Sequence, residues 1–333
     1  LNIVLILVLI FSKSLGDQLV YYLSYGVSFA GFLQLIFLYK YVSKYYSLEF
    51  NFKFNASNKV KFFFRKLLPS IFSSGVTQIN ILVGTIIASF QASAVSYLYY
   101  ADRIYQINLA IAGIAIGTVI LPNLSRHIKS KNSLKTIELQ NKALELSLFL
   151  SLPASFALIV GSEQITSALF GYGSFDQLSV KNSAKALFYF SFGLPAFSLI
   201  KIFSTFLFAR NDTKTPFRYS LISVFLNIII SLTFFPKLGF IIIPIATTIS
   251  SWFNGFILLI FVIKKNYFKF SPNFIFQITK IIFSNIIAIL IFYFLINFLS
   301  SSLDYLNNYK FIFIILIVLF TFVSYIGVSI IIK

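Results

Sequence analysis

The chain has 333 residues, of which 58% are hydrophobic and 11% charged, and its mean hydropathy is +0.89. A soluble domain is about 45–50% apolar and about 25% charged, so this composition excludes a single water-soluble core and indicates a polytopic α-helical membrane protein. The net charge of +18 comes from lysines and arginines in short loops between apolar runs, which argues against nucleic acid as a partner. With no cysteine and a single histidine, His127, the sequence predicts no metal site and no cofactor.

The apolar runs predict an all-α transmembrane bundle, because a helix needs about 20 mostly apolar residues to cross a bilayer. Ten candidate spans follow one another along the chain, and the first is incomplete. They are residues 1–12, 19–42, 67–91, 94–123, 143–161, 184–209, 217–235, 238–263, 273–299 and 311–332.

The first run begins at Leu1, and the chain contains no methionine. This run has neither the basic flank nor the small-residue cleavage site of a signal peptide. We therefore expect residues 1–12 to be the end of a truncated transmembrane helix, in a fragment whose true start lies upstream.

The loop charges predict the orientation of the bundle. Twenty of the 27 lysines and arginines fall in one set of alternate loops and five in the other, while Arg103 and Lys201 lie inside spans. Because basic loops stay in the cytoplasm, the richer set is predicted to be cytoplasmic. That set comprises the C-terminus and the loops at 43–66, 126–142, 210–218 and 264–272.

The loop at 43–66 is the longest stretch that is not apolar, and its end at 59–66 is basic and aromatic. This end could lie along the anionic inner leaflet before the chain enters the membrane at Pro69. A simple solvated linker explains the same residues equally well.

The span at 67–91 is polar on two stripes. Asn80 and Gly84 continue one stripe that begins with Ser73 and Thr77, and Pro69 could bend the helix. This pattern is typical of a helix that lines a cavity, and it makes Asn80 a candidate site residue.

The span at 94–123 carries the most informative charges, Asp102 and Arg103. Charged residues inside spans are costly, and they are functional candidates by default. Arg103 shares a helical stripe with Ser96, Tyr99 and Gln106, which indicates a polar face toward a cavity. Its planar guanidinium suits a phosphate or pyrophosphate. The alternative is a structural ion pair between Arg103 and an acid on another helix.

Further along the same span, Gly113 and Gly117 have a GxxxG spacing, which favours close helix packing over a hinge. Pro122 is expected to end the helix. His127 follows at the predicted cytoplasmic surface and is interpreted as an interfacial residue rather than a proton relay.

The span at 184–209 contains Lys201, with Gly193 and Pro195 upstream. Lys201 could face the cavity as a second cation, or it could extend toward the cytoplasmic face. The polar turn that follows, residues 210–216, is expected to close a loop, with Pro216 opening the next helix.

Catalytic signatures are absent from the sequence. It has no GxSxG, HExxH or Walker motif, and its nine acidic residues are scattered, with no pair at helical spacing within a span. This weighs against a membrane enzyme.

Several blocks of the chain resemble the MurJ/MviN lipid II flippases of the multidrug/oligosaccharidyl-lipid/polysaccharide exporter superfamily. The YYADR block and the GIAIGTVILP block carry most of the resemblance, and the other blocks support it in the same order and spacing. The matching residues are 78–80, 88–90, 99–103, 113–126, 170–173 and 209–216.

The resemblance implies a transporter with fourteen helices in two lobes, of which these spans would be the fifth to the fourteenth. The chain would then divide into the end of an N-terminal lobe with its linker at 1–66, a C-terminal lobe core at 67–263, and two last helices within 273–333. In the family, lipid II enters a cationic cavity headgroup first, and its tail lies in a groove of the last two helices. Arg103 falls on the functional arginine of this motif and Ser96 on a cavity position.

The chain also departs from the family pattern. Neutral Gln106 stands where many relatives have an acid, and Gly84 stands where some have aspartate. Asn227, Ser231 and Thr247 fall where a sodium site has been proposed in the family, but none of them is acidic. A hard cation prefers several oxygens with some negative charge, so the departures put cation coupling through this site in doubt.

We therefore interpret the chain as a multi-pass lipid II flippase of the bacterial cytoplasmic membrane that works by alternating access for cell-wall synthesis. The alternatives are an exporter of another undecaprenyl-linked glycan, a drug antiporter of the same superfamily, or a non-transporting cell-wall scaffold. Expected partners are lipid II, membrane lipids and, as a further candidate, the cell-wall synthesis machinery. The predicted substrate-binding residues are Arg103, Ser96, Asp102, Gln106, Lys201 and Asn80.

Overall fold

A computed structural model describes residues 2–12, 18–46, 57, 58, 60, 61, 64 and 78–332. All regular secondary structure among these residues is helical, which confirms the predicted all-α class. The chain divides into two compact units, Leu1–Phe62 and Phe63–Lys333, and each is described by itself. Most of the proposed membrane-surface segment at 59–66, and also Pro69, lies outside the described residues.

The first unit contains a short helix and a long apolar helix that pack against each other. They are α1, Asn2–Ser12, and α2, Leu19–Val42. With 24 residues, α2 is long enough to cross the hydrocarbon core. Gly26 and Ala30 are buried, while most of its tyrosines and phenylalanines are exposed, as expected for a helix that faces lipid.

The second unit is a bundle of long apolar helices. One long helix consists of α4, a short π-helical segment and α5, without a break. In chain order the elements are α3, Gln78–Ala88; α4, Ala94–Leu109; the π segment, Ala110–Ala115; α5, Ile116–Lys129; α6, Ser133–Val160; α7, Ser162–Phe170; α8, Gln177–Ser191; α9, Leu194–Phe208; α10, Lys214–Leu238; α11, Ile242–Lys264; α12, Phe274–Phe298; and α13, Lys310–Ile331.

Within the described residues, six helices are long and apolar enough to cross a membrane, or seven if the bent pair α8–α9 is one span. One of the six, Lys214–Lys264, has 51 residues and is about twice as long as a bilayer requires. It consists of α10 and α11, which fold back on each other at Gly239, where φ is +61°. Ser223 Oγ donates to the carbonyl of Ser250 at 2.6 Å and joins the two helices.

Two boundaries predicted between residues 122 and 142 are wrong. Pro122 does not end its helix, because α5 continues through it to Lys129 and ends in a basic turn that suits the helix dipole. The predicted loop at 126–142 is largely helical, since α6 already begins at Ser133. Asn132 caps α6 by accepting a hydrogen bond from Lys135 N at 3.1 Å. Amphipathic ends extend both helices beyond their apolar windows.

The predicted span at 184–209 is also different, because it is two helices joined at an angle of 45°. α8 begins at Gln177, where the side chain of Asp176 accepts from Ser179 N at 2.8 Å. α9 begins beside Pro195, which fits the first turn of a helix but cannot continue α8.

The π segment has a hydrogen-bonding partner on α6. Ser147, which is fully buried, donates from Oγ to the carbonyl of Ala112 at 2.8 Å. A π segment changes the helical hydrogen-bond register, and a buried hydroxyl can satisfy a displaced carbonyl.

Gly113 and Gly117 pack against α9, as the GxxxG spacing predicted. A Cβ atom on Gly113 would lie 3.3 Å from the Cα of Ser198, and one on Gly117 would lie 2.8 Å from Oγ1 of Thr205. These glycines let the π segment and α5 approach α9 almost to backbone contact.

Replacing Gly113 with leucine should therefore destabilise the protein by about 1–3 kcal/mol, because a larger side chain forces two packed helices apart. Thermal unfolding of the purified protein in detergent measures this loss. Gly327→Leu is the matched control, since no atom lies within 4 Å of its added Cβ. An equal melting temperature for both variants would contradict the packing role.

The turn after α9 is tied to the loop that follows α11. Arg210 donates to the carbonyl of Tyr267 at 2.7 Å, and its guanidinium lies 4.7 Å from the centre of that ring. Within the turn, Asp212 accepts from Thr215 N at 3.0 Å. These contacts agree with the loop-closing role expected for residues 210–216.

Candidate functional site

The exposed face of α4 carries the polar stripe that the sequence predicted. Ser96, Tyr99, Arg103 and Gln106 are all exposed, and their spacings of three and four residues place them on one side of the helix. The opposite side of α4 is buried in the main hydrophobic core, which fixes the direction of the polar face. Hydrophobic packing of α4 thus presents Arg103 outward from this unit.

Arg103 is supported by the tyrosine of the preceding turn. Its Nη2 donates to Oη of Tyr99 at 2.9 Å, and its Cζ lies 4.6 Å from the centre of the same ring. Among the described residues, no acidic side chain lies within salt-bridge distance of Arg103, so the structural ion pair is not seen there. A guanidinium has five N–H donors, and a single tyrosine leaves most of them for a ligand.

Asp102 is partly buried and has a different partner. Its carboxylate accepts a hydrogen bond from Nε2 of Gln106, one turn later on α4. Asp102 and Gln106 therefore form a hydrogen-bonded pair, while Arg103 donates to Tyr99 instead. Such a contact between residues four apart stabilises the helix locally.

Lys201 and Asn80, the two remaining predicted residues, line a different cavity. This cavity has a volume of about 490 Å³ and lies among α3, α5, α9, α10 and α11. Its wall is rich in hydroxyl and amide groups, and Lys201 is the one charged residue among those that line it. Lys201 is exposed and lines the wall of this second cavity, not of a cavity that also contains Arg103.

The six predicted residues thus form two groups. Lys201 packs against α4–α5 at the level of Gly113, which is ten residues after Arg103. At 1.5 Å per residue, this places Lys201 about 15 Å from Arg103 along the helix axis. Ser96, Asp102, Arg103 and Gln106 form the group on α4.

An apolar groove begins beside Arg103. It has a volume of about 480 Å³ and is enclosed by α4, the π segment, α6, α7, α12 and α13. Ile104 and Ile107 line its α4 side, so the groove starts within one turn of the arginine. Its polar lining side chains are Asn108, Asn285, Thr321 and Tyr325. This arrangement places the exposed guanidinium of Arg103 next to an apolar groove, and a groove of this type can bind an acyl or prenyl chain.

A family model described as lipid II flippase MurJ matches residues 1–322 of this chain. The chain belongs to the lipid II flippase MurJ family. With its long apolar helices, this makes it a multi-pass membrane protein.

Curated relatives agree with the family model. The chain is 36% identical over 308 residues to a probable lipid II flippase MurJ of Rhizobium meliloti, covering 91% of this chain and 57% of the relative. It is 37% identical over 250 residues to a probable lipid II flippase MurJ of Rickettsia prowazekii, covering 74% of this chain and 49% of that protein. The chain thus spans about half the length of these MurJ relatives.

Solved structures show the same similarity. A lipid II flippase MurJ in an inward closed conformation superposes with a TM-score of 0.75 at 25% identity, covering 98% of this chain and 64% of that one. A multidrug resistance MATE family transporter in an outward-facing conformation has a TM-score of 0.51 at 17% identity, covering 71% and 54%. The second match shows the likeness of fold alone.

The residues at the sodium position proposed for the MurJ family form a neutral cluster between α10 and α11. Asn227 Nδ2 donates to Oγ1 of Thr247 at 3.0 Å, and Ser231 Oγ donates to Oδ1 of Asn227 at 3.1 Å. Gly84 of α3 packs against Ile243 rather than providing a ligand. The described groups are amides and hydroxyls that already bond to one another, so this cluster does not fit a hard cation, which prefers carboxylate oxygens.

Sequence reasoning missed Lys310, which was counted only as a loop charge. It is 1% exposed, and its ammonium donates to the carbonyls of Gly171 and Tyr305 at 2.7 and 2.5 Å. The rings of Tyr172 and Tyr305 lie 4.4 and 4.5 Å from Nζ. Two features of the sequence could have indicated this burial. Lys310 directly precedes an apolar run, and the segment 170–173 contains Gly171, whose carbonyl accepts from Lys310.

Proposed function

We propose that this chain belongs to a transporter that carries lipid II across the bacterial cytoplasmic membrane for cell-wall synthesis. The observation that carries the proposal is that Arg103, an exposed cation, directly precedes Ile104, which lines the apolar groove. A lipid with a diphosphate next to a long prenyl chain matches both features at once. The names of the curated MurJ relatives support this substrate.

In this proposal Arg103 binds the phosphates with two N–H donors, the geometry that a guanidinium offers to an oxyanion. Ser96 contributes a hydroxyl on the same face, and the Asp102–Gln106 pair holds the neighbouring turn. Lys201 and Asn80 act from the second cavity, where the headgroup reaches them at another stage of transport. Alternating access moves the headgroup without making or breaking a bond, so the protein is a transporter rather than an enzyme.

The proposed topology has ten spans within a fourteen-helix, two-lobed protein. Residues 1–66 end the N-terminal lobe, residues 67–263 form the core of the C-terminal lobe, and α12 and α13 form the groove for the lipid tail. The bias of 20 basic residues to five across alternate loops supports a cytoplasmic C-terminus in the inner membrane. Cell-wall synthesis proteins are proposed as further partners.

The test is the accessibility of the lipid II headgroup in proteoliposomes that contain the complete protein. We expect headgroups that begin in the inner leaflet to become accessible to an external label within the assay, and empty vesicles to show no change. A cell-wall scaffold would leave the lipid in its leaflet, so an unchanged inner pool would overturn the proposal. A second lipid with the same diphosphate and prenyl chain but another glycan measures how much of the specificity lies in the sugar.

Transport should not depend on sodium, because the Asn227 cluster is neutral and internally bonded. Replacing sodium by a bulky organic cation at constant ionic strength should leave the initial rate of transport within about twofold, since no carboxylate is there to select the ion. Proteoliposomes with identical inner and outer solutions provide the measurement. A transport rate that falls tenfold without sodium would contradict the conclusion that the Asn227 cluster does not bind this ion.

A further inference from the structure

Asn285 is an unpaired polar side chain in the wall of the apolar groove. It is 2% exposed, and neither its amide nitrogen nor its amide oxygen has a hydrogen-bond partner. Oγ1 of Thr321, on the facing helix α13, is also buried and unpaired. Asn285 and Thr321 are called the polar patch; Asn108 of α4, which donates to the carbonyl of Ile104 at 3.4 Å, lines the same groove.

The position of this patch is unusual for polar groups. Asn285 lies near the middle of α12 and Thr321 near the middle of α13, so both are far from either end of the bilayer-length helices. Buried polar groups are normally hydrogen-bonded, and an unpaired amide in an apolar environment is costly. The protein therefore tolerates a destabilising group at a level where an ordinary bilayer provides no polar partner.

We propose that Asn285 and Thr321 bind the phosphate end of the prenyl chain when the lipid is halfway across the membrane. The proposal rests on the proposed function, because only a lipid in transit brings a phosphate to this depth. The tail occupies the groove throughout, and it needs no hydrogen bond. The phosphate next to it passes the level of the patch once in each crossing.

The patch carries no charge, so it should bind the phosphate weakly enough for the lipid to move on. The amide of Asn285 and the hydroxyl of Thr321 donate hydrogen bonds to phosphate oxygens without a charge that would hold them. Asn108 follows Arg103 by five residues, which is about 7.5 Å along α4.

The decisive variant is Asn285→Leu, which keeps the size of the side chain and removes its polar atoms. We expect the transport rate to fall roughly tenfold, as one lost hydrogen bond to a charged group would produce. The affinity for lipid II in detergent should stay within about twofold, because the bound ground state is held at Arg103. The melting temperature should be equal or higher, since an unpaired polar group is replaced by an apolar one.

Two further variants separate binding from packing. Ser284→Ala is the matched control, because Ser284 is also fully buried and unpaired but does not line the groove. Its transport rate should stay unchanged. Asn285→Ser keeps a donor and should recover part of the rate lost in the leucine variant.

The outcomes are distinct. If the wild-type protein moves lipid II and Asn285→Leu moves it equally fast, the patch has no role in transit and the proposed function stands. If the leucine variant melts at a lower temperature, or if it loses a phospholipid that co-purifies with the wild type, Asn285 holds a resident group instead and the proposal is wrong. If the wild-type protein moves no lipid II, the proposed function itself fails.

Discussion

Replacing Arg103 with alanine is expected to reduce transport about 30-fold or more, enough to prevent growth of cells that depend on this protein. Removing one partner of a desolvated charge pair costs about 2–5 kcal/mol, and each 1.4 kcal/mol is a factor of ten. Among the described residues no acidic side chain forms a salt bridge with Arg103, so the folded structure does not depend on its charge for such a bond. The loss should therefore appear in transport rather than in stability.

Growth of cells depleted of their own flippase, with the complete gene supplied on a plasmid, measures this effect. Arg218→Ala removes another exposed cation, on α10, and provides the control for a nonspecific loss of positive charge. Arg103→Lys should support growth partially, because lysine keeps the charge but not the two-pronged geometry. Full growth with Arg103→Ala would show that the binding role is wrong.

Tyr99 contacts Arg103 in two ways, through its hydroxyl and through its ring. Its hydroxyl accepts from Nη2 of Arg103, and its ring lies beneath the guanidinium. Both contacts orient a flexible side chain before a ligand arrives, which lowers the entropic cost of binding. The tyrosine is thus a positioning residue for Arg103.

The periodic features of the sequence predicted the helices and the polar face of α4. Apolar windows of about 20 residues identify spans because lipid, unlike water, offers the backbone no hydrogen bonds. The spacing of Ser96, Tyr99, Arg103 and Gln106 is local, so the face they share follows from helical geometry alone. Their exposure also followed, since the other side of α4 is apolar.

The errors arose where local composition does not decide the structure. Ser133 begins α6 although Lys135, Glu138 and Lys142 follow it, because an amphipathic end can continue a helix into water. The bend at Gly193 depends on how α8 and α9 pack. The separation of Lys201 from Arg103 depends on which helices meet, and periodicity within one helix carries no such information.

The burial of Lys310 is the clearest case of a tertiary contact that composition conceals. Its ammonium binds two carbonyls, one of them 139 residues away in the chain, and lies against two aromatic rings. The N-terminus of a helix such as α13 disfavours a cation, so these contacts must offset both the helix dipole and the loss of hydration. Gly171 is needed at the other end, since a Cβ there would lie 2.6 Å from the carbonyl of Ser167.

Lys310→Met should therefore destabilise the protein by about 2 kcal/mol. Methionine fills the same space but donates no hydrogen bond, and bonds to a charged donor contribute about 1.5–3 kcal/mol each before the cost of burying the charge. Lys181→Met, at an exposed position on α8, should change stability by less than about 0.5 kcal/mol. Thermal unfolding in detergent compares the two variants.

The direction of the change in melting temperature also tests whether Lys310 stabilises the N-terminal end of α13. Buried charges are sometimes replaced by apolar groups with a gain in stability, when desolvation exceeds the contacts they make. A melting temperature of Lys310→Met equal to or above that of the wild type would show that this is so here. A lower one, with Lys181→Met unchanged, would show that the lysine fastens α13 to the loop at Gly171. Because α13 forms one wall of the groove, the same contact would then help to fix the width of the groove.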